Sequence, residues 1–169
     1  SLALRFGGVK VLRSVGFAVE PVQVFGLVAP NGAGKPSLFN CISGHYRPSS
    51  GSIRIDDTEV RGSRPAQMAG HGLARTFQHP ALQLRETVLE NVMVGRFCRT
   101  SAGPITSILR GPKYRREERE TTERAQELLD FVGLGASAES LARNLPYGDQ
   151  RRLEIARALA TDPSVVLLD

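Results

Sequence analysis

The chain alternates short apolar runs with glycine and proline punctuation, and the spacing of its apolar residues separates strands from helices. Residues 22–28, Val-Gln-Val-Phe-Gly-Leu-Val, lie between Pro21 and Pro30 and predict a strand buried on both faces of an α/β sheet. After Asn31-Gly32-Ala33-Gly34, the residues Leu38, Phe39 and Ile42 recur at helical spacing over residues 35–43, with Gly44 as a stop. The order is strand, glycine-rich turn, helix. Residues 52–55 and 58–60 flank Asp56-Asp57 and predict a small hairpin. Residues 64–69 read as a helical turn and residues 73–77 as another short strand.

From Thr87 the pattern turns helical. Thr87-Val88-Leu89-Glu90 has the spacing of a capping box, in which a threonine and a glutamate satisfy each other's backbone N–H groups, and opens a helix towards Phe97. Gly103-Pro104 and Gly111-Pro112 predict irregular chain between Cys98 and Lys113. Ala125, Leu128, Leu129 and Val132 then mark one face of a helix over residues 115–132, with Gly133 at its C-terminal position. A last helix covers about residues 149–160, with Asp149 as N-cap or first-turn acid and Pro163 beyond its end. Val165-Val166-Leu167-Leu168 predicts a buried strand that runs to Asp169.

Composition narrows the class. A length of 169 residues with 41% hydrophobic content suffices for one compact domain. No run approaches the roughly 18 apolar residues of a membrane span, and residues 1–10 lack the apolar stretch of a secretory signal, so a soluble chain is expected. Cys41 and Cys98 stand in unrelated contexts, which excludes a disulfide framework or a paired metal site and fits a reducing, cytoplasmic setting. The net charge is +5, but acids alternate with bases over residues 110–124, where much of the excess sits. That run reads as a solvated helix face rather than a nucleic-acid footprint.

The chemistry concentrates in residues 29–37, Ala-Pro-Asn-Gly-Ala-Gly-Lys-Pro-Ser, between the predicted strand and helix. There the backbone N–H groups and the helix dipole can hold a phosphate chain, the glycines let the backbone wrap it, and Lys35 can set its ammonium against the β- and γ-phosphates. A glycine-rich turn before an ordinary helix would read the same from this stretch alone. The helix that opens at Gly148 offers a second N-terminus able to meet an anion, with a plain helix cap as the alternative.

These segments, in this order, resemble the ABC ATPases. Residues 29–37 are similar to the Walker A motif G-P-N-G-A-G-K-T-[ST]. Arg75-Thr76-Phe77-Gln78 resembles the Q-loop region, Leu145-Pro146-Tyr147-Gly148-Asp149-Gln150 the signature L-S-G-G-Q, and Val165 to Asp169 the Walker B motif. Phe6-Gly7-Gly8, Glu90-Asn91-Val92-Met93-Val94-Gly95 and the Leu-Pro-Tyr-Gly signature are similar to the branched-chain amino-acid import ATPases, and the likeness covers residues 4–169. It implies an α/β fold: a P-loop NTPase core of ABC type with an antiparallel β subdomain and an inserted α-helical subdomain, its C-terminal part missing. The division would be residues 1–78 for the nucleotide-binding core, 79–148 for the helical subdomain and 149–169 for the signature helix and Walker B strand.

The resemblance further implies ATP hydrolysis coupled to transport of branched-chain amino acids, with ATP and Mg2+ as cofactors. ATP would be held by Asn31, Gly32, Ala33, Gly34, Lys35 and Ser37, with Phe6 stacked on the adenine unless it is simply core, and Gly148 would cap the γ-phosphate bound by the opposite subunit. Gln78 and Asp169 would hold the metal. The partners would be a second ABC cassette and transmembrane permease subunits, with no nucleic acid, at the cytoplasmic face of the inner membrane.

Several positions depart from the family pattern. Pro36 stands where a threonine or serine is expected, and it offers neither the hydroxyl that ligates magnesium nor the N–H that touches phosphate. Proline is tolerated in a first helical turn, and Ser37 points about 100° away from the vacated place. Ala29 replaces the first glycine of the motif. The catalytic glutamate is expected just after Asp169, and His45, His71 and His79 do not take the place of the family's switch histidine. This chain alone is therefore expected to be inactive and, since the family inserts a further strand between the Walker A and Walker B strands, poorly stable. Two other readings remain: a degenerate cassette that binds nucleotide weakly, and a non-transport ABC ATPase acting on nucleic acid, which would usually carry coiled-coil arms or tandem cassettes.

Overall fold

The computed structural model describes residues 1–76, 81–96 and 112–169, the side chains of 112–114 excepted. The chain forms two compact units, Ser1–Leu73 and Ala74–Asp169.

The first unit is built on an antiparallel hairpin, β1 (Leu2–Phe6) and β2 (Val9–Val15), joined through Gly7-Gly8 and paired as Leu4 to Leu12, Arg5 to Lys10 and Phe6 to Val9. The sequence reading misses this hairpin, although Leu2 and Leu4 alternate with exposed or half-exposed neighbours as a half-buried strand requires. Helix α1 (Lys35–Ile42) follows, as the spacing predicts, and its Leu38 and Cys41 close a small core with Leu2, Leu4 and Leu12. The predicted hairpin forms in shortened shape as β3 (Arg54–Ile55) and β4 (Thr58–Glu59), and the predicted turn forms as α2 (Pro65–Met68).

The strand predicted over residues 22–28 does not form. Val22 turns at φ +62°, and Val22, Val24 and Val28 are 95–107% exposed rather than buried on both faces. A parallel strand draws all its main-chain hydrogen bonds from neighbouring strands, and among the described residues none pairs with this segment. Apolar content without a pairing strand leaves irregular chain, in which Phe25 stacks on Phe17 at 4.9 Å and Leu27 packs against the small core.

In the second unit, β5 (Leu73–Arg75), which begins at the boundary, pairs with β6 (Val165–Leu167), and three helices pack together: α3 (Val88–Arg96), α4 (Pro112–Phe131) and α5 (Tyr147–Leu159). Val88, Val92, Ala125, Leu129, Leu153 and Ala156 are wholly buried between them. The capping box is present: Glu90 N–H donates to Thr87 Oγ1 at 3.1 Å and Thr87 N–H to Glu90 Oε2 at 2.8 Å. Thr87's two donations, backbone first and hydroxyl second, hold the Glu90 carboxyl below its usual range. The neighbouring Asn91 is fully buried, with its amide bonded to the carbonyls of Gln83 and Thr87 and the N–H of Gln83. Its place in the Glu90-to-Gly95 motif is thus structural. Gly95 lets α3 touch α5: a Cβ there would collide with the Arg157 carbonyl oxygen and stand 3.0 Å from Ala160 Cβ.

Two boundaries differ from expectation. Helix α5 starts at Tyr147, because the N–H groups of Asp149 and Gln150 both reach Pro146 O, which makes Asp149 a first-turn acid rather than the N-cap. Strand β6 is half-buried rather than buried, and Leu168 after it is exposed. The strand predicted to Phe77 and the irregular stretch from Cys98 fall partly outside the described residues. No helix among the described residues is long and apolar enough to cross a membrane.

Candidate functional site

The loop at residues 31–37 is set by the strand that supports it. Gly34 is the N-cap of α1 in left-handed conformation, φ +91°, and a Cβ on it would stand 3.0 Å from Leu12 Cδ2 and 3.2 Å from Val11 O of β2. Only glycine fits both constraints. A turn closes upstream, where Ala33 N–H donates to Pro30 O at 3.2 Å. The Lys35 ammonium folds back over this turn, donating to the carbonyls of Ala29 and Pro30. These two contacts occupy two of the three N–H donors of the ammonium. Asn31, Gly32 and Ala33 are exposed, and Gly34, Lys35 and Ser37 half-buried. The first turn of α1 points free N–H groups outward as any helix start does, but Pro36 deletes the one at its own position.

Phe6 ends β1 and is 48% exposed, with its ring edge-on to Tyr46 at 5.2 Å. It is therefore not a core residue, and its exposed face can take a flat ring. Tyr46, held by its N–H to Asn40 O at 3.0 Å, is a second aromatic that sequence reading passes over.

In the second unit, Gly148 is exposed in the first turn of α5, beside Tyr147, whose ring lies 5.7 Å from the Arg151 guanidinium. Asp169 follows β6. Its carboxylate is paired with the Arg75 guanidinium, Nη2 to Oδ2, at 2.8 Å, and its N–H reaches Thr76 Oγ1 at 3.3 Å. No described hydrogen bond or ion pair joins Gly148 to Asp169. Gln78, the other residue expected at the metal, lies outside the described residues.

The family model described as ABC transporter matches residues 12–169 of this sequence. The chain belongs to the ABC transporter family. It is 40% identical over 168 residues to the high-affinity branched-chain amino acid transport ATP-binding protein LivG of Escherichia coli (strain K12), covering 99% of this chain and 66% of that protein. The corresponding protein BraF of Pseudomonas aeruginosa gives the same identity and coverage. The crystal structure of a nucleotide-free ATP-binding cassette from an ABC transporter superposes with a TM-score of 0.80 at 31% identity, over 99% of this chain and 66% of that one. The chain thus spans about two thirds of the length of the relatives it matches. The mixed α/β fold is that of an ABC cassette.

Within the ABC family, ATP is the expected ligand, and donor chemistry bears on magnesium. Magnesium is held by one or two carboxylates with phosphate oxygens and water completing the shell, so the hard oxygens of Asp169 fit it. The hydroxyl at position 36 is absent, and no cluster of three or more acidic, histidine or cysteine side chains stands among the described residues to compensate. Sequence reading also passes over two cations. Arg75 carries a signal in hindsight: a charge within an otherwise apolar strand needs a partner. Arg157, on α5, donates to Ala81 O at 2.6 Å and so fixes the chain just beyond Gln78; burial pulls its guanidinium below the ordinary value, opposed by Glu154.

Proposed function

We propose that this chain is the nucleotide-binding part of an ABC importer's ATP-binding subunit, and that the whole protein hydrolyses ATP to drive entry of branched-chain amino acids. The observation that carries this reading is the loop itself: a left-handed Gly34 locked against β2, opening into α1 with Lys35 poised over the turn. The likeness to import ATP-binding proteins along nearly the whole chain supports the substrate class. In this reading Asn31, Gly32, Ala33, Gly34, Lys35 and Ser37 hold the phosphates and Phe6 the adenine. Gly148 meets the nucleotide of a second cassette, and Asp169 with Gln78 holds magnesium. When bound, the ion neutralises phosphate charge. Permease subunits at the cytoplasmic face of the membrane are the partners, and the functional parts are residues 1–78, 79–148 and 149–169.

Pro36 favours a second reading, a cassette that binds nucleotide weakly and without help from magnesium. A titration with fluorescent ATP, with and without magnesium, separates the two. Micromolar, magnesium-dependent binding that disappears in Lys35→Ala supports the first reading. Weak binding indifferent to magnesium, strengthened in Pro36→Thr, supports the second. No binding by either protein would remove the nucleotide assignment altogether.

A further inference from the structure

Arg75 is ion-paired with the carboxylate that the motif pattern reserves for a metal. It comes at the end of β5 and Asp169 just after β6, 94 residues later, so their meeting is a product of strand pairing. Thr76 N–H donates to Leu167 O at 3.0 Å and Asp169 N–H to Thr76 Oγ1 at 3.3 Å, which fixes both main chains beside the ion pair. The two side chains are only 10% and 18% exposed. A carboxylate so withdrawn from water is stabilised by a counter-charge, and the guanidinium, planar and more weakly hydrated than an ammonium, supplies it at lower desolvation cost than a lysine would.

We infer that Arg75 is the resident counter-cation of Asp169: it holds the carboxylate when no divalent ion is bound, and loading of a divalent ion requires this contact to be given up or shared. The inference rests on the reading of Asp169 as a metal ligand. Phosphate oxygens supply the rest of the ion's counter-charge, but a guanidinium and a divalent ion that share one carboxylate at contact distance still repel each other, and in a site shielded from solvent that repulsion is poorly screened. Arg75 is therefore a positioning residue that sets the affinity for the ion without touching it. A merely orienting neighbour of a metal ligand acts with the opposite sign, since removing it lowers metal affinity.

The experiment is Mn2+ binding followed by electron paramagnetic resonance in the presence of ADP, on this chain and its Arg75→Met, Arg75→Lys and Asp169→Asn variants, with circular dichroism to establish folding. Arg75→Met is expected to tighten Mn2+ binding about tenfold, the lower end of what a neighbour of a metal ligand changes. Arg75→Lys keeps the charge and should stay near the parent. In an Asp169→Asn background Arg75→Met should change nothing. Unchanged or weakened Mn2+ binding in a folded Arg75→Met protein overturns the inference. If Arg75→Met does not fold, Arg75→Gln, which keeps N–H donors without the charge, carries the same expectation and the same refutation. Unchanged binding in Asp169→Asn alone shows that Asp169 is not the ligand, which removes that reading and the inference with it.

Discussion

The helical packing of the second unit and the segment leading into the glycine-rich loop of the first are both rich in apolar residues, yet they fare differently. In α3, α4 and α5, Val88, Val92, Leu129 and Leu153 are fully buried, while Val22, Val24 and Val28 lie open to solvent. A helix satisfies its backbone within itself, so its apolar face needs only another face to pack against. A strand has to borrow its hydrogen bonds. Apolar residues therefore stabilise the one region and leave the other irregular, since no described strand pairs with it.

Substitutions can break or sharpen this contrast. Leu129→Ala, which empties a site between packed helices, should cost about 3 kcal/mol in urea denaturation. Gly95→Ala drives a methyl into the Arg157 carbonyl and should cost about 2 kcal/mol, read as a lowered Tm. In the loop, Pro36→Thr should raise magnesium-dependent nucleotide affinity about tenfold, equivalent to about 1.4 kcal/mol, by fluorescence titration. Thr87→Ala removes a helix cap at about 1 kcal/mol near neutral pH. Because Thr87 lowers the Glu90 pKa in the folded state, Glu90's share of that cap is present above the ordinary glutamate value. It fades as pH falls through the folded value, so the gap between parent and variant should narrow, without closing, in acid melts. Val24→Ser, at an exposed place, should lie within about 0.5 kcal/mol of the parent. A large loss there would mean that Val24 is packed after all.

The helices were legible because their signals are local: the Thr87–Glu90 box, the stripe from Ala125 to Val132, and Gly133 at φ +78° after α4. The glycine-rich turn was legible for the same reason, since Gly34 marks a left-handed position whatever surrounds it. Residues 22–28 misled because periodicity reports which residues avoid water and carries no information on whether a strand exists to pair with them. The β1–β2 hairpin escaped notice because its alternation is short and broken by irregular register between Leu2 and Arg5.

By itself, the sequence determined the family, the order of its motifs and the position of the glycine-rich loop, because each depends on residues adjacent in the chain. Only the tertiary structure decided that Gly34 is pinned by Leu12, that Phe6 faces outward beside Tyr46, and that Arg75 holds Asp169. Those relations join residues tens of positions apart. Strand pairing and side-chain packing create them, and no local pattern of polarity encodes which distant partner a charge or a ring will meet.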